Sequence, residues 1–175
     1  FVLAAAVMPF WTTRFLARKH PDTSKTGLVA NIIISMISSL LYLSLLSSIM
    51  SVLHIDEAYT IVYGILTLRI IENYAMSELE AILQVRQPHL IGYGFLVFET
   101  CKVAAGFLLI VQLKLGLLGA VCSIVSAYIA QIAFYLRFVS HELTGRVKWG
   151  YVKEWLKASP VNIYGIVGQK LASFV

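Results

Sequence analysis

Charge is scarce in this sequence. Of 175 residues only 13% are Asp, Glu, Lys or Arg, while 59% are apolar. That is about half the charged share of an ordinary soluble domain, too little to clothe the long apolar runs in a polar face. Alternation of apolar and polar residues over strands of ~10 residues is also missing, which excludes a transmembrane barrel. Cysteine is limited to Cys101 and Cys122. Both fall in apolar stretches without metal-ligand or disulfide spacing, so they read as small packing residues. No nucleotide-binding loop, metal-ligand set or nucleophile–base arrangement occurs. His20, His54, His89 and His141 all fall at the ends of apolar segments or between them. The expectation is a protein that is not an enzyme and has no cofactor or metal.

What the sequence has is long apolar runs. Six can be traced: 1–17, 27–53, 58–79, 89–113, 115–138 and a last one from Pro160. A bilayer core of ~30 Å needs about 20 such residues per helix. The fold class expected is therefore all-α, a polytopic transmembrane helix bundle. Residue 1 is Phe and the first run begins at once, as in a piece of a longer protein. That run is no signal peptide, because Arg14, Arg18 and Lys19 follow it instead of preceding it.

The basic residues are placed unevenly. Ten of the 14 Lys and Arg lie in alternate connections: Arg14, Arg18, Lys19 and Lys25, then Arg86, then Arg137, Arg146, Lys148, Lys153 and Lys157. The opposite connections carry Lys114 alone. The net charge of +5 is then a topology signal with the ten-charge face in the cytoplasm, and nucleic acid is not needed as a partner. Between residues 147 and 157, Trp149, Val152, Trp155 and Leu156 fall on one helical face with Lys148, Lys153, Glu154 and Lys157 around them, the pattern of an interfacial amphipathic helix. Ser159-Pro160 then opens the last segment, Pro being tolerated at a helix start. This gives five transmembrane helices in 1–140, a cytoplasmic linker at 141–159 and the start of a further helix at 160–175.

Small residues mark where helices pack in lipid. Gly116, Ala120, Ser123, Ala127 and Ala130 form such a stripe, and Ser35/Ser39, Ser44/Ser48 and Ser47/Ser51 are spaced alike. The serines, with Asn31 and Tyr42, could instead line a wet cavity. Ionisable residues at membrane depth cost about 2.5–3.5 kcal/mol each on insertion scales and point to a protein interior or a cavity. Arg69 and Glu72, and Glu99 and Lys102, are such residues in the third and fourth segments, and Lys170 is one in the last. If those segments form a hairpin turning near Gln87-Pro88, Glu72 and Lys102 fall at the same depth and are expected to pair. Glu78 and Glu80, near the inner end, are expected to be solvated. The candidates for a transport cavity are thus Arg69, Glu72, Glu99, Lys102, Asn31 and Lys170.

Four stretches resemble signatures of polysaccharide-biosynthesis flippases: Thr13-Arg14-Phe15-Leu16-Ala17, the loop from Ala81 through Gln84, Arg86 and Pro88 to Leu90, the turn Leu115-Gly116-Leu117-Leu118-Gly119-Ala120, and Trp155-Leu156-Lys157-Ala158-Ser159-Pro160. In this order and spacing the chain resembles the multidrug/oligosaccharidyl-lipid/polysaccharide exporter superfamily, in its lipid-linked oligosaccharide branch. The resemblance implies a two-lobe, MATE-like fold of which 1–140 is part of the N-terminal lobe and 160–175 begins the second. It implies a multi-pass protein of the cytoplasmic membrane that flips a lipid-linked saccharide by alternating access, with H+ or Na+ as a possible coupling ion. The alternatives are an ion-coupled drug or metabolite antiporter of the same superfamily and a non-transporting membrane scaffold subunit.

Overall fold

The computed structural model describes residues 5–56 and 59–172, with side chains described as far as Pro160. All of its regular structure is helical: α1 (Val7–Ala17), α2 (Thr23–Val52), α3 (Thr60–Arg86), α4 (His89–Gly106), α5 (Gly116–Val139) and α6 (Trp149–Ala172). A π-helical stretch, Phe107–Gln112, extends α4, and a 3-10 turn, Ser140–Leu143, follows α5.

Three of these helices are long and apolar enough to cross a membrane: Thr23–Val52, His89–Gln112 and Gly116–Leu143. They mark the chain as a membrane protein. Their outer faces carry uncovered large side chains such as Ile37, Leu40, Leu96, Val103 and Ile129, which suit a hydrocarbon solvent and would be a liability in water. The expected third span is the exception among the longer runs. At 27 residues α3 is about 40 Å long and could span, but Arg69, Glu72, Glu78 and Glu80 within it lower its apolarity, so it does not qualify by composition.

Sequential neighbours α3 and α4 were expected to pack as a hairpin. Instead α5 packs extensively against both, and α3 and α4 touch each other little. The reason is visible on α5: Gly119, Ser123, Ala127, Gln131, Tyr135 and Val139 recur every four residues and all are buried. That row shares Ser123 and Ala127 with the expected small-residue stripe, while Ala120 and Ala130 are half-buried and Gly116 is exposed. Tyr135 anchors it. Its hydroxyl accepts from Gln131 Nε2 at 3.0 Å and donates to the Ile91 carbonyl at 3.1 Å. Its ring lies so close to Gly94 of α4 that any side chain there would collide with it. Around Tyr135 gather Leu16, Leu28, Met76, Leu79, Ile82, Leu83 and Leu90, so one core joins α1 through α5.

A second, smaller core places α6 against α1 and α2 through Val7, Met8, Phe15, Ala30, Val152 and Trp155. Only part of the expected amphipathic face is used there: Val152 and Trp155 are buried, Trp149 and Leu156 exposed. The expected helix start at Pro160 is replaced by one helix running through it. Proline leaves the Leu156 carbonyl without its usual donor, and next to it Ser159 Oγ donates to the Trp155 carbonyl at 2.5 Å. At the basic end the loops are tied together. Asp22 accepts from the Arg146 N–H and from Lys148 Nζ, both at 3.2 Å, and the Lys148 N–H donates to Thr26 Oγ1 at 2.9 Å. The hydrogen bond to Asp22 holds the Lys148 ammonium above its ordinary pKa. Arg86 pairs with Glu142 at 3.1 Å.

Candidate functional site

Helix α3 carries Arg69, Asn73, Ser77, Glu80 and Gln84. Steps of four, four, three and four residues put them on one helical face. Polar side chains in a row on a helix buried among apolar neighbours need a wet surface or partners, and from Asn73 to Gln84 this row faces open space. A cavity of about 590 Å³ lies along it, closed on the other side by Pro9, Phe10, Thr13 and Arg14 of α1. A second cavity, about 280 Å³, shares Asn73, Ser77 and Glu80 with the first and reaches Phe98 and Glu99 of α4 and Tyr128 and Gln131 of α5. Together they form a polar groove along one side of α3.

One guanidinium lines the groove and a second stacks on its wall residue Tyr128. Arg14 lies over the Phe10 ring at 4.0 Å from its centroid and near Trp11 at 5.9 Å. Arg69 lies over Tyr128 at 3.5 Å. Stacking of this kind orients the cation; Arg14 makes no ion pair among the described residues, whereas the edge of Arg69 already meets Glu72. In the groove stands Glu80, which is half-buried and takes part in none of the ion pairs among the described residues.

The four charges expected to cluster are divided differently from the expectation. Glu72 does not pair with Lys102. Arg69 Nη1 meets Glu72 Oε2 at 2.7 Å and Lys102 Nζ meets Glu99 Oε2 at 2.6 Å, each within its own helix. Because α5 stands between α3 and α4, the two pairs communicate only through rings. Tyr128 under Arg69 packs against Phe98 at 4.4 Å between centroids, and Lys102 Nζ lies 4.9 Å from the Phe98 centroid. Glu72 is buried, whereas Glu99 is exposed on α4.

Asn31 is not part of the groove. It is fully buried between α2 and α3, donating from Nδ2 to the Tyr74 carbonyl at 2.7 Å, and Ser38 Oγ and the Tyr74 hydroxyl lie 3.1 Å apart beside it. Of the serines on α2, Ser35, Ser38 and Ser39 are buried at this helix contact, while Ser47 and Ser51 line a separate cavity of about 460 Å³ with Met50 and Thr60. The side chain of Lys170 lies outside the described residues.

One carboxylate was misjudged from sequence: Glu78 is fully enclosed instead of solvated, whereas Glu80, half-buried, faces the groove. The groove itself was legible in the spacing of residues 69, 73, 77, 80 and 84, read as a stripe instead of as isolated charges. No family model, curated protein or solved structure matches this chain.

Proposed function

We propose that this chain is part of a multi-pass transporter of the cytoplasmic membrane that flips a lipid-linked oligosaccharide by alternating access, as its likeness to the polysaccharide exporters implies. The observation that carries the reading is the groove: a cleft along α3 with a row of polar side chains, lined by aromatic-stacked Arg14 and by Tyr128, on which Arg69 stacks. A pyrophosphate or phosphate head group is an anion of the kind that oriented guanidinium groups bind. Its sugars would meet Asn73, Ser77 and Gln84, and its lipid tail would stay against the apolar outer faces. Transporters built from repeated lobes bind substrate near the midplane and rock one lobe against the other, and a second lobe would close the open side of the groove.

The test uses the full-length protein in liposomes, following a fluorescent lipid-linked oligosaccharide from one leaflet to the other. Protein-dependent flipping, lost in an inserted and folded Arg69→Ala variant, is the expected result. Unchanged flipping in that variant removes Arg69 from the mechanism. A second reading, an ion-coupled antiporter for drugs or metabolites, is favoured by Glu80, a groove carboxylate without an ion-pair partner. Export of a cationic dye under an ion gradient, with no flipping, would select it.

A further inference from the structure

Glu78 follows Ser77 on α3 but points the other way, into the seam where α1 and α2 meet α3. It is 0% exposed, and neither carboxyl oxygen has a hydrogen-bond partner among the described residues. Thr12 of α1, also 0% exposed, is the polar side chain beside it, and its Oγ1 does not close a hydrogen bond of ordinary geometry. Both approach the backbone of α2 at Gly27, where a methyl group would collide with Glu78 Oε1 and with Thr12 Oγ1. Ser24, one turn earlier on α2, is buried with its hydroxyl likewise unpartnered.

Among the described residues no cation pairs with this carboxyl. On α1, Arg14 is turned over Phe10 toward the groove, and Arg18 and Lys19 are exposed. On α2, Asp22 is held by Lys148 and the Arg146 N–H, and Lys25 is half-buried without an ion pair. On α3, Arg69 belongs to Glu72, Arg86 to Glu142, and Glu80 faces the groove. Arg137 on α5 and Lys153, Glu154 and Lys157 on α6 are exposed. A carboxylate enclosed without a cation, with only the Thr12 hydroxyl beside it, is strongly disfavoured, and such a group neutralises by taking a proton.

The position of the water supply adds to this. Thr13 and Ser77 line the groove, while their immediate neighbours Thr12 and Glu78 face away from it. The wall between the groove and the Glu78 carboxyl is therefore the contact of α3 with α1, a helix of 11 residues, and Glu80 in the groove stands two residues from Glu78.

We infer that Glu78, with Thr12 at Gly27, is a proton-binding site whose proton exchanges with groove water when α1 shifts on α3, and whose filling couples a proton gradient to the movement proposed above. The chemistry is a simple transfer. A carboxylate oxygen forms an O–H bond with a proton from hydronium, leaving water, and on opening returns it to water. The packed state of α1 and α2 on α3 is the protonated one. The coupling part of this inference rests on the transport reading; the site itself does not.

Two measurements on the full-length protein test it. Infrared difference spectroscopy on purified protein, stepping pH, reads the C=O stretch of a protonated carboxylic acid. That band should vanish in Glu78→Gln and move in Thr12→Val. In liposomes, wild-type flipping should respond to a pH gradient, whereas Glu78→Gln, a neutral mimic of the acid, should flip without any response to the gradient. An unchanged band in Glu78→Gln overturns the site, as does a wild-type band that yields only to Na+. A band that behaves as expected beside a full pH-gradient response in Glu78→Gln overturns the coupling. If wild-type protein flips nothing, the transport reading fails, and the infrared result still decides whether the site exists.

Discussion

The Arg69 guanidinium on α3 lies 3.5 Å from the centre of the Tyr128 ring on α5. This stack ties the Arg69–Glu72 pair of α3 to the helix that packs between it and α4. Interactions of this type are worth about 0.5–2 kcal/mol, the larger values applying when water is excluded. Tyr128→Leu should therefore lower stability by about 1 kcal/mol and also weaken flipping, because Arg69 loses its orientation. Tyr128→Phe should keep both. Thermal unfolding in detergent together with the liposome assay checks this; equal behaviour of the Leu and Phe variants would show that the ring does not hold Arg69.

The division of the charges into Arg69–Glu72 and Glu99–Lys102 has an energetic signature. A Glu72→Gln, Lys102→Gln double-mutant cycle should be additive to within about 0.3–0.5 kcal/mol, as for sites without shared partners. A direct Glu72–Lys102 pair would give a coupling clearly above that range. Unfolding free energies of the wild type, both single variants and the double variant decide between them.

Gly94→Ala places a methyl group in the Tyr135 ring. Overpacking of a tight contact costs roughly 1–3 kcal/mol, and here it also threatens the bond from the Tyr135 hydroxyl to the Ile91 carbonyl. The expected loss of thermal stability should be partly relieved in Gly94→Ala, Tyr135→Leu. Ala at position 92, where a methyl group meets nothing within 4 Å, is the control and should have little effect.

The uneven basic residues predict a topology. In intact cells, an impermeant thiol reagent should label Lys114→Cys from outside and Lys148→Cys only after the membrane is opened. Labelling of Lys114→Cys solely from the cytoplasmic side would invert the assignment.

The helices were legible because lipid imposes length and apolarity on a segment whatever its neighbours are. Helix α2, 30 residues long, covers most of one expected run, and the break at Lys114, where φ is +54°, falls between two others. Pairing was not legible to the same degree. Adjacency in sequence suggested α3 against α4, yet the four-residue row from Gly119 to Val139 made α5 the better partner for both. Once α5 intervenes, Glu72 and Lys102 can be level in depth and still take partners one turn away on their own helices. Glu78 was missed for a related reason: distance from a helix end says nothing about which neighbour covers a side chain, and Gly27 and Thr12 are far from it in sequence. Arg69 and Glu99 were picked out by their charge, whereas Asn73, Ser77 and Gln84 matter only as members of a row.

The polar stripe that makes α3 useful also makes it a poor passenger during synthesis. Each charge at the centre of an inserting helix costs about 2.5–3.5 kcal/mol, and α3 carries Arg69 and Glu72 near its middle with Glu78 and Glu80 beyond. Left alone it would hesitate at the translocon, and a chain stopped before Gly116 should show α3 incompletely integrated when glycosylation sites map its ends. With α2 already in the bilayer and α5 arriving to cover Arg69 with Tyr128, the same helix can be drawn in. The order in which the ribosome delivers its neighbours then becomes part of how this protein acquires its shape.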